Sequence, residues 1–381
     1  MSFNEVGTIS ALNLSYYPNE RGPYNLNVDD LGPDGKFMKP RDKWGGIMRR
    51  MDVRDFEASN VEYIEFWMLD PFVYKGSSEY PENGEGDLYF NLGNISEDIL
   101  KDGRKFFENG LPADGNMNDV ETTVWGKVPK RQATVYAFDN NLGDAGRKAQ
   151  DVGLNGLSTE EEYDPPACKE YLEKLKPKLS GTTLDEFNNS PFSPLKDPAG
   201  DNYHYYRGLY YDENETSILD RYKYYNGTEG NSPVSGGSNE RYSTAARSVP
   251  DVEDIDQDYT MNETESFYQY KISLRKNDMN VGSNFITEKR EVEVSLRNGK
   301  KETVTWYQFK IPIREGEPVN NMRNFKSIRF MRMFLTGFDK PTFLRFGTLQ
   351  LVRGDWRTYD RTLNHNETVS GAGKIEVTRV N

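Results

Sequence analysis

The segment Ile328–Val352 reads IRFMRMFLTGFDKPTFLRFGTLQLV, and it holds two apolar, aromatic runs joined by the short linker GFDKP. Both runs, Ile328–Thr336 and Thr342–Val352, are rich in the large side chains that favour strands. Long aromatic strands of this kind are typical of a β-sandwich or a jelly roll. The sequence therefore predicts a mainly β chain, folded as a jelly-roll-like or galactose-binding-like β-sandwich.

The second run carries a signal for a bend at Gly347. Leu344 and Phe346 lie in one phase of the strand alternation, whereas Leu349 and Leu351 lie in the other. A change of phase across a glycine is what one extra residue in a strand produces. We therefore predict a β-bulge at this position.

Further strands are predicted on either side of a long, strand-poor middle. Val61–Leu69 carries large side chains on both faces, as a covered central strand does, and Gly86–Leu92 places apolar residues on one face. A helix is predicted to begin at Ser96, where acidic residues follow a capping residue. Phe267–Leu274 is predicted as a strand. The dipeptide Asn298–Gly299 predicts a tight β-hairpin, with a longer loop as the alternative because of Arg297, Lys300 and Lys301 around it.

These strands divide the chain into four parts. Residues 1–110 and 261–360 are predicted to form the two halves of the sandwich, and residues 361–381 a trailing strand that leads to the next part of a longer chain. Between the halves, residues 111–260 are rich in Asn, Asp, Gly and Pro, and only Ala167–Lys178 has a clear helical pattern. Structureless loops of this length are uncommon within compact domains, so we interpret the middle as a large loop-rich insertion carrying short helices.

Composition narrows the classes of partner. The 381-residue chain carries a formal net charge of -13. This charge disfavours nucleic acid and anionic lipid, because phosphate binding needs clustered Lys and Arg. Cys168 is the single cysteine, so an intrachain disulfide and a multi-thiolate metal site are excluded, and we expect its thiol to be buried.

The location of the chain is open at this point. The first residues lack the pattern of a signal peptide, and no apolar run reaches the length of about 20 residues of a membrane helix. The chain is therefore either cytoplasmic or part of a longer one whose export signal lies elsewhere. Alternating strands of about 9 to 11 residues also occur in transmembrane barrels, but several strands here are apolar on both faces, which favours the sandwich.

Residues 203–225 hold eight tyrosines in 23 positions, more than a hydrophobic core requires. A tyrosine buries a large ring while its hydroxyl stays on water or a polar partner, so such a run is suited to a protein-binding surface. A loop packed on its own domain, held by Arg207 paired with Asp212 or Asp201, is an equally favoured interpretation. The candidate contact residues are Tyr203, Tyr205, Tyr206, Arg207, Tyr210, Tyr211, Tyr222, Tyr224 and Tyr225.

Residues 151–162, DVGLNGLSTEEE, match part of a twelve-residue calcium loop. Asp151 stands at position 1, Asn155 at position 5 and Glu162 at position 12. Leu157 stands where a main-chain ligand is expected, but Gly153 occupies position 3, where a side-chain ligand is expected. Calcium is therefore a candidate cofactor, and a solvated acidic loop is the alternative.

A second acidic loop, residues 254–265, reads DIDQDYTMNETE. Asp254, Asp256 and Asp258 stand at positions 1, 3 and 5 and Glu265 at position 12, but Tyr259 replaces the turn glycine. A hard cation takes about six to eight oxygen ligands and relieves the repulsion among clustered carboxylates. Short acidic runs are frequent in a chain with 61 Asp and Glu, so the solvated loop is favoured over calcium in both places.

Support for a catalytic site is thin. His204 and His365 are the two histidines, and His204 in YHYYRG is expected to be packed rather than to act as a base. The sequence has no GxSxG, HExxH or phosphate-binding glycine loop before a helix. Paired glycosidase carboxylates would be invisible in a sequence, so a glycoside-active enzyme stays an alternative, but we predict a protein that is not an enzyme.

A calcium-stabilised, carbohydrate-binding β-sandwich is the other alternative. Sugar rings would stack on aromatic side chains exposed on one face of the sandwich. Trp44, Trp67 or Trp306 would have to supply that face, but their places in strong strands favour the core instead.

Seven runs of the sequence carry a resemblance to a known family, among them YYPNERGPYN, DNYHYYRG, RYKYYNGTEGNSP and FKSIRFMRMFLTGF. The runs are Tyr16–Asn25, Lys43–Phe72, Gly86–Pro112, Asp201–Gly208, Arg221–Pro233, Val304–Glu315 and Phe325–Phe338. In the same order, they resemble the SprA/Sov family of Bacteroidetes cell-surface proteins. The resemblance covers nearly the whole chain, and several runs are longer than a short motif.

The resemblance implies a part of the outer-membrane translocon of the type IX secretion system, which gliding species also need for gliding motility. Family members are several times longer and form a giant barrel of about 36 strands, so the chain would be an internal fragment. We expect it to be a soluble, cap-like or wall-like insertion of that barrel at the cell outer membrane. The implied partners are the rest of the translocon barrel, a PorV-type shuttle barrel or a plug protein, and exported proteins in transit.

Overall fold

A computed structural model describes residues 9–72, 84–106, 111–131, 137–139, 141–232, 244–296 and 299–354. The strands are β1 Ala11–Tyr16, β2 Trp44–Arg50, β3 Val61–Leu69, β4 Asp87–Asn94, β5 Val120–Thr122, β6 Lys127–Pro129, β7 Ser266–Ser273, β8 Ile286–Ser295, β9 Lys301–Pro312, β10 Glu317–Val319, β11 Phe330–Thr336 and β12 Thr342–Arg353. The α-helices are α1 Gly143–Gln150, α2 Pro166–Leu175, α3 Gly181–Asn189, α4 Leu209–Glu213 and α5 Ile218–Arg221. None of the helices in the described ranges is long and apolar enough to cross a membrane.

Most of the strands form two antiparallel sheets that pack face to face. One sheet has the order β1-β12-β3-β9-β8 and the other the order β10-β7-β4-β11-β2, while β5 and β6 form a separate hairpin. Each sheet takes strands from both ends of the described chain, because β3 lies between β12 and β9, and β4 lies between β11 and β7. The predicted mainly β sandwich is therefore confirmed, with its two halves interleaved.

The linker GFDKP carries the chain from one sheet to the other. β11 and β12 lie in different sheets, so this segment joins the two layers instead of forming a hairpin. At the crossing, the Phe338 ring is fully buried and packs edge-on against Tyr16, with 5.9 Å between the ring centroids. The buried ring fixes the point at which the chain changes layer.

Alternate residues of the central strands build the core between the sheets. They include Ile64, Phe66 and Met68 of β3, Leu88, Phe90 and Leu92 of β4, Phe309 and Ile311 of β9, and Met331, Met333 and Leu335 of β11. The Phe66 ring joins the layers, since its centroid lies 4.8 Å from that of Phe309 in the same sheet and 5.5 Å from that of Phe90 across the core. Burying each such side chain contributes about 1.5 to 3 kcal/mol to the free energy of unfolding.

The predicted bulge in β12 is confirmed. The register between β12 and β3 shifts between Gly347 and Gln350. Thr348 within the shift has a φ of 57°, a conformation that few residues other than glycine adopt. The extra residue explains why the apolar positions change phase along this strand.

The predicted hairpin of β8 and β9 is also confirmed as a strand pair. Ser295 faces Lys301 at its closed end, so the connection is longer than a two-residue turn. Gly299 has a φ of 77°, and its N–H donates to the carbonyl oxygen of Leu296 at 2.9 Å. Asn298 lies outside the described residues.

The helix predicted at Ser96 is wrong, because the described residues 96–106 form bends and irregular backbone without a helical turn. The N–H groups of Ile99 and Leu100 donate to Oε1 of Glu253 at 2.9 and 3.0 Å. The acids of this stretch form tertiary turns in place of a helix start, and Oδ1 of Asp98 accepts the N–H of Asp102 at 3.2 Å.

The stretch between β4 and β7 carries the short helices. The predicted helix at Ala167–Lys178 is confirmed by α2, which continues into a 3₁₀ turn at Lys176–Lys178. The sequence predicts further short helices here without placing them. The longest of these, α3, begins at a Ser180 cap whose side chain accepts the Thr183 N–H. Leu172 and Leu175 of α2 pack with Val28, Leu31 and Phe37, so a small apolar cluster ties this helix to the segment after β1. The trailing strand predicted at residues 361–381 lies outside the described residues.

Candidate metal centre and tyrosine-rich surface

Three buried carboxylates meet beside α2, and we call Glu162, Asp197 and Asp201 the first acidic cluster. One oxygen of each lies within 4.8 Å of the others. Glu162 lies in the turns before α2, whereas Asp197 and Asp201 lie in the loop after α3. Packing of α2 and its neighbouring loops therefore brings together acids that are far apart in the sequence.

Asp197 organises the loop that carries Asp201. Its Oδ1 accepts the N–H groups of Gly200 at 2.7 Å and Asp201 at 3.2 Å, and its Oδ2 accepts that of Asn202 at 3.0 Å. The φ of Gly200 is 76°, which lets the backbone wrap around the carboxylate. The turn delivers the Asp201 side chain into the cluster.

Asp201 keeps one oxygen without a hydrogen bond. Its Oδ2 accepts the Tyr24 hydroxyl at 2.6 Å, and that hydroxyl in turn accepts the N–H of Leu154 at 2.8 Å. Asp201 is only 1% exposed, and its buried Oδ1 receives no hydrogen bond from the described residues. An acceptor buried without a partner costs free energy, so this atom calls for an explanation.

The charges of the first acidic cluster are poorly compensated by the protein. Burial, followed by the neighbouring charge of Asp201, raises the pKa of Glu162 to about 9. Burial, followed by the charge of Asp197, raises the pKa of Asp201 to about 8. The described residues form no ion pair with these three carboxylates. The positive charge of Arg21 acts to lower the pKa of Asp201, but its guanidinium donates to the main-chain oxygens of Pro198 and Asp197 at 2.7 Å each.

The structure brings together only part of the calcium set predicted at residues 151–162. Asn155 and Glu162 do meet, with Nδ2 of Asn155 donating to Oε1 of Glu162 at 3.3 Å. Asp151 instead accepts the N–H of Ser232 at 3.1 Å. The carbonyl oxygen of Leu157 accepts a main-chain N–H within the loop, at 2.8 Å, so it is engaged by the loop itself.

Gly153 explains why the loop departs from the template. A Cβ at this glycine would lie 2.2 Å from Oδ2 of Asp201 and 2.8 Å from Oδ1 of Asn155. The position that lacks a ligand in the sequence is therefore the place where a carboxylate from another loop arrives. Calcium binding by the residues predicted at 151–162 stays a prediction.

The second acidic cluster consists of Glu97, Asp254 and Asp256, which are also buried with one oxygen of each within 4.8 Å of the others. The carboxylate of Glu97 accepts the N–H groups of Asp256 at 3.1 Å and Asn262 at 3.2 Å. The carboxylate of Asp254 accepts the N–H of Tyr259 at 2.8 Å. Burial raises the pKa of Glu97 to about 7, against the two hydrogen bonds from the backbone.

Arginines compensate the second acidic cluster. Oδ2 of Asp256 lies 3.2 Å from a guanidinium nitrogen of Arg54 and 3.1 Å from one of Arg329. Arg329 also pairs with Asp258. Of the calcium set predicted at residues 254–265, Asp254 and Asp256 lie in this cluster. Asp258 is held by an arginine and Glu265 pairs with Arg332, 3.0 Å away, so calcium binding by the whole set stays a prediction.

The tyrosines of residues 203–225 pack largely on one another. Tyr211 is 3% exposed, whereas Tyr210 and Tyr222 are each 45% exposed. The rings of Tyr203, Tyr205, Tyr206, Tyr224 and Tyr225 are partly buried. The Tyr206 ring stacks on that of Tyr222 with 5.0 Å between centroids. We call these residues the tyrosine-rich surface: the exposed Tyr210 and Tyr222, and the partly buried Tyr203, Tyr205, Tyr206, Tyr224 and Tyr225.

Phe192 is the centre of the packed part. Its ring stacks on Tyr224 at 4.4 Å and on Tyr211 at 5.8 Å between centroids. Arg207 is exposed, and Asp212, one of the partners expected for it, pairs with Arg221 at 2.7 Å. The packed-loop interpretation thus accounts for most of the tyrosines, while Tyr210 and Tyr222 keep a large exposed fraction.

A cleft of about 350 Å³ separates the tyrosine-rich surface from the sandwich. Ile218 and Tyr222 line it on one side, and Leu14, Leu69 and Phe343 line it on the other. Ile218 is 61% exposed, so the mouth of this cleft presents an apolar side chain to solvent.

The three tryptophans considered for sugar binding, Trp44, Trp67 and Trp306, do not lie in the core. Trp44 of the edge strand β2 is 68% exposed. Trp67 and Trp306 are partly buried on the outer face of the sheet. Both flank Gly347, since a Cβ added there would lie 3.8 Å from Trp67 and 3.6 Å from Trp306. The expectation of core positions is wrong because the inward positions of β3 and β9 are taken by Phe66, Met68 and other core residues.

Two packing predictions are confirmed. Cys168 is buried, and its burial followed by the charge of Glu162 raises the pKa of its thiol to about 12, which makes it unreactive. His204 packs edge-on against Phe192 at 4.6 Å between centroids, and burial lowers its pKa. His365 lies outside the described residues.

The sequence missed the residues that complete the first acidic cluster. Asp197, Asp201 and Tyr24 belong to segments that only tertiary packing joins. The one signal was Gly153, the glycine at a ligand position, because a residue without a side chain permits close approach of another segment.

Comparison with known proteins gives a family and one distant relative. The family model SprA_N, described as a motility related/secretion protein, matches residues 170–381. An uncharacterized sulfatase, YidJ of Escherichia coli strain K12, is 23% identical over 211 residues, which are 51% of this chain and 38% of that protein. The chain thus spans little more than a third of that relative.

Proposed function

Because the chain belongs to the SprA_N family of motility-related and secretion proteins, we propose that it is a soluble, non-enzymatic part of the outer-membrane translocon of the type IX secretion system. In this role it forms a cap or wall of the pore through which proteins are exported, and it supports gliding motility. Such a role needs no catalytic residue, because translocation is conduction and gating.

The family match is the observation that supports this proposal. It covers residues 170–381, which include the tyrosine-rich surface and the strands β7 to β12 of the sandwich. The distant likeness to a sulfatase is too weak to bring catalysis to this chain. His204, the described histidine, is packed against Phe192, an arrangement suited to structure.

The first test is an immunoblot of outer membranes from the source organism with an antibody against this 43.9 kDa chain. We expect a band several times larger than the chain and confined to the outer membrane. A soluble band near 43.9 kDa would overturn the proposal.

We infer that the tyrosine-rich surface contacts a partner in the translocon. The candidates are the rest of the barrel, a PorV-type shuttle barrel, a plug protein and exported proteins in transit. Tyr210 and Tyr222 are the rings that a partner can reach, and the apolar cleft beside Tyr222 and Ile218 extends the same area. Exposed aromatic rings beside an apolar recess are typical of binding hot spots.

The surface is tested by replacing Tyr210 and Tyr222 together with Ser and measuring export in the source organism. We expect reduced secretion with unchanged melting temperature. The matched control is Val281→Ser, a side chain 56% exposed elsewhere on the chain, which we expect to secrete normally. Normal secretion by the tyrosine variant would exclude this surface.

A carbohydrate-binding sandwich is the second candidate function, and the exposed Trp44 is the observation that favours it. An exposed indole on an edge strand is available to stack on a sugar ring. Affinity electrophoresis on common polysaccharides tests this, with Trp44→Ala as the variant that should lose any retardation. Unretarded wild-type protein would exclude it.

A further inference from the structure

We propose that the first acidic cluster is a binding site for a hard divalent cation of the calcium type, held by Glu162, Asp197 and Asp201. The site joins the loop before α2 to the loop that leads into the tyrosine-rich surface. It is independent of the secretion role and would stabilise this part of the chain whatever its partners are.

The first argument is uncompensated charge. Glu162 and Asp201 are 0% and 1% exposed, and Asp197 is 7% exposed. Buried carboxylates are normally paired with cations or bound to metals. Among the described residues, no ion pair satisfies these three, and the guanidinium of Arg21 is engaged by main-chain oxygens.

The second argument is the free acceptor of Asp201. Its Oδ1 is buried and has no hydrogen-bond donor among the described residues, while its Oδ2 is fixed by Tyr24. The carboxylate is thus oriented by one oxygen and leaves the other for a ligand. A carboxylate held by a neighbour in this way is pre-organised, as metal ligands supported by a second layer of hydrogen bonds are.

The third argument is the close approach at Gly153. The absence of a side chain there lets Oδ2 of Asp201 and Oδ1 of Asn155 both approach this glycine, at 2.2 and 2.8 Å from the point where a Cβ would lie. Oxygen from a carboxamide thereby joins oxygen from carboxylates in one small volume. A sequence-distant acid has taken the place of the missing loop ligand.

The donor atoms select the class of cation. The three acids offer only carboxylate oxygen, whereas Asn155 beside them donates its Nδ2 to Glu162 and accepts the N–H of Leu157 at its Oδ1. Soft metals prefer thiolate and imidazole, whereas calcium takes carboxylate and carbonyl oxygen in flexible geometry. Magnesium demands a near-ideal octahedron, which suits an irregular set from two loops less well.

The ion would anchor the base of the tyrosine-rich surface. Asp201 is followed directly by Asn202, whose Oδ1 accepts the Thr159 hydroxyl at 3.0 Å, and then by Tyr203, whose N–H donates to the carbonyl oxygen of Glu229 at 2.9 Å. Holding Asp201 therefore also holds the first residue of the tyrosine segment.

The test is the thermal melting of the 381-residue chain in chelator and in saturating calcium. We expect calcium to raise the melting temperature by roughly 5 °C, since a ligand selective for the folded state stabilises it. Asp201→Asn keeps the hydrogen bond to Tyr24 but removes a charge, and we expect it to lose most of this shift. Equal melting of the wild type in both buffers would overturn the proposal.

A matched control separates binding from folding. Asp256→Asn changes the same residue type in the arginine-compensated cluster, and we expect it to keep the full calcium shift. Glu162→Gln serves if Asp201→Asn fails to fold, and it should lose the shift too. A calcium shift that survives both Asp201→Asn and Glu162→Gln would place the ion elsewhere and overturn this assignment.

Terbium supplies a direct readout of place. Tb³⁺ substitutes for calcium in oxygen sites and emits when an adjacent tyrosine absorbs light. Tyr24, bonded to Asp201, is placed to sensitise it. We expect emission that calcium competes away and that falls severalfold in Tyr24→Phe, whereas unchanged emission in that variant would contradict the site.

Discussion

The two acidic clusters have the same composition of one Glu and two Asp, both are buried, and in both one oxygen of each acid lies within 4.8 Å of the others, but only one is neutralised by arginines of the described chain. Arg54 and Arg329 pair with Asp256 in the second cluster, whereas the first has no such pair among the described residues. Among the described residues, Oδ1 of Asp201 and Oδ1 of Asp256 both lack a hydrogen-bond donor. The clusters are alike in this respect and differ in charge compensation. The difference teaches that burying acids does not by itself mark a metal site, because the source of the compensating charge has to be identified.

The pKa values follow the same division. Burial raises the pKa of Glu162 to about 9 and that of Asp201 to about 8, whereas that of Glu97 rises only to about 7. Glu97 accepts two backbone N–H groups, which favour its ionised form. In the second cluster, arginines and backbone N–H groups offset the electrostatic cost of burying the carboxylates. In the first cluster, bound protons or a cation have to offset it.

The largest effect is expected when the compensation of the second cluster is removed. Arg329→Met leaves Asp256 with Arg54 alone and leaves Asp258 without its arginine. Removing one partner of a buried ion pair costs about 3 to 5 kcal/mol, and we expect the lower end here because Arg54 remains. Urea unfolding measures this loss.

The control for Arg329→Met is Arg290→Met on β8. Arg290 pairs with Glu288 at 2.6 Å, but both side chains are more than 40% exposed. Exposed pairs contribute about 0 to 1 kcal/mol. Equal losses in the two variants would mean that the arginines of the second cluster do not compensate a buried charge.

A smaller effect is expected from closing the approach to the first cluster. In Gly153→Ala the new Cβ would meet Oδ2 of Asp201 at 2.2 Å, so one of the two loops has to move. We expect a loss of about 1 to 3 kcal/mol in the free energy of unfolding, as for an overpacked interior. Gly181→Ala at the start of α3, where a Cβ meets nothing within 4 Å, should be neutral or slightly stabilising.

The sequence predicted the sandwich well because its signals are local. Alternation of Ile64, Phe66 and Met68 indicates a covered strand, and the change of phase at Gly347 indicates a bulge. Neither signal needs knowledge of distant residues. The helix at Ser96 failed since a distant group, Glu253, takes the N–H groups that a helix would have used.

The acidic clusters could be predicted only in part. The template of a calcium loop groups Asp151 with Glu162, but the fold groups Glu162 with Asp197 and Asp201. In the second loop, Asp258 matched the template, yet an arginine of a later strand connection holds it. Carboxylate partners from other segments cannot be read from spacing, because packing of loops decides them.

Glu253 lies outside both clusters and is a further buried carboxylate, which accepts backbone N–H groups and whose pH titration extends the comparison. Burial raises the pKa of Glu253 to about 7, above the ordinary value of 4.5 that it has when unfolded. The folded state therefore holds a proton that the unfolded state releases, so the stability is fully present below pH 4.5 and is lost as the pH rises towards 7. One such group changes the free energy of unfolding by at most about 1.4 kcal/mol per pH unit.

The variant for this titration is Glu253→Gln, which cannot ionise. We expect a shallower decline of stability between pH 5 and 7 than in the wild type, measured in chelator by urea unfolding at each pH. The same slope in both proteins would show that Glu253 is already ionised at pH 5, held so by the N–H groups of Ile99, Leu100 and Phe106.

The smallest effect, and the most direct comparison, comes from neutralising one aspartate in each cluster without calcium. Asp201→Asn relieves repulsion with Glu162 and Asp197 and keeps an acceptor for Tyr24, so we expect the free energy of unfolding in chelator to rise by up to about 1 kcal/mol. Asp256→Asn removes the partner shared by two arginines, so we expect a fall of about 1 kcal/mol. Opposite signs are the expected result, because a charge that the protein does not compensate destabilises the fold while one that it does compensate stabilises it. A fall in both variants would mean that Arg21 already neutralises the first cluster from a distance, and the two clusters would then differ only in geometry.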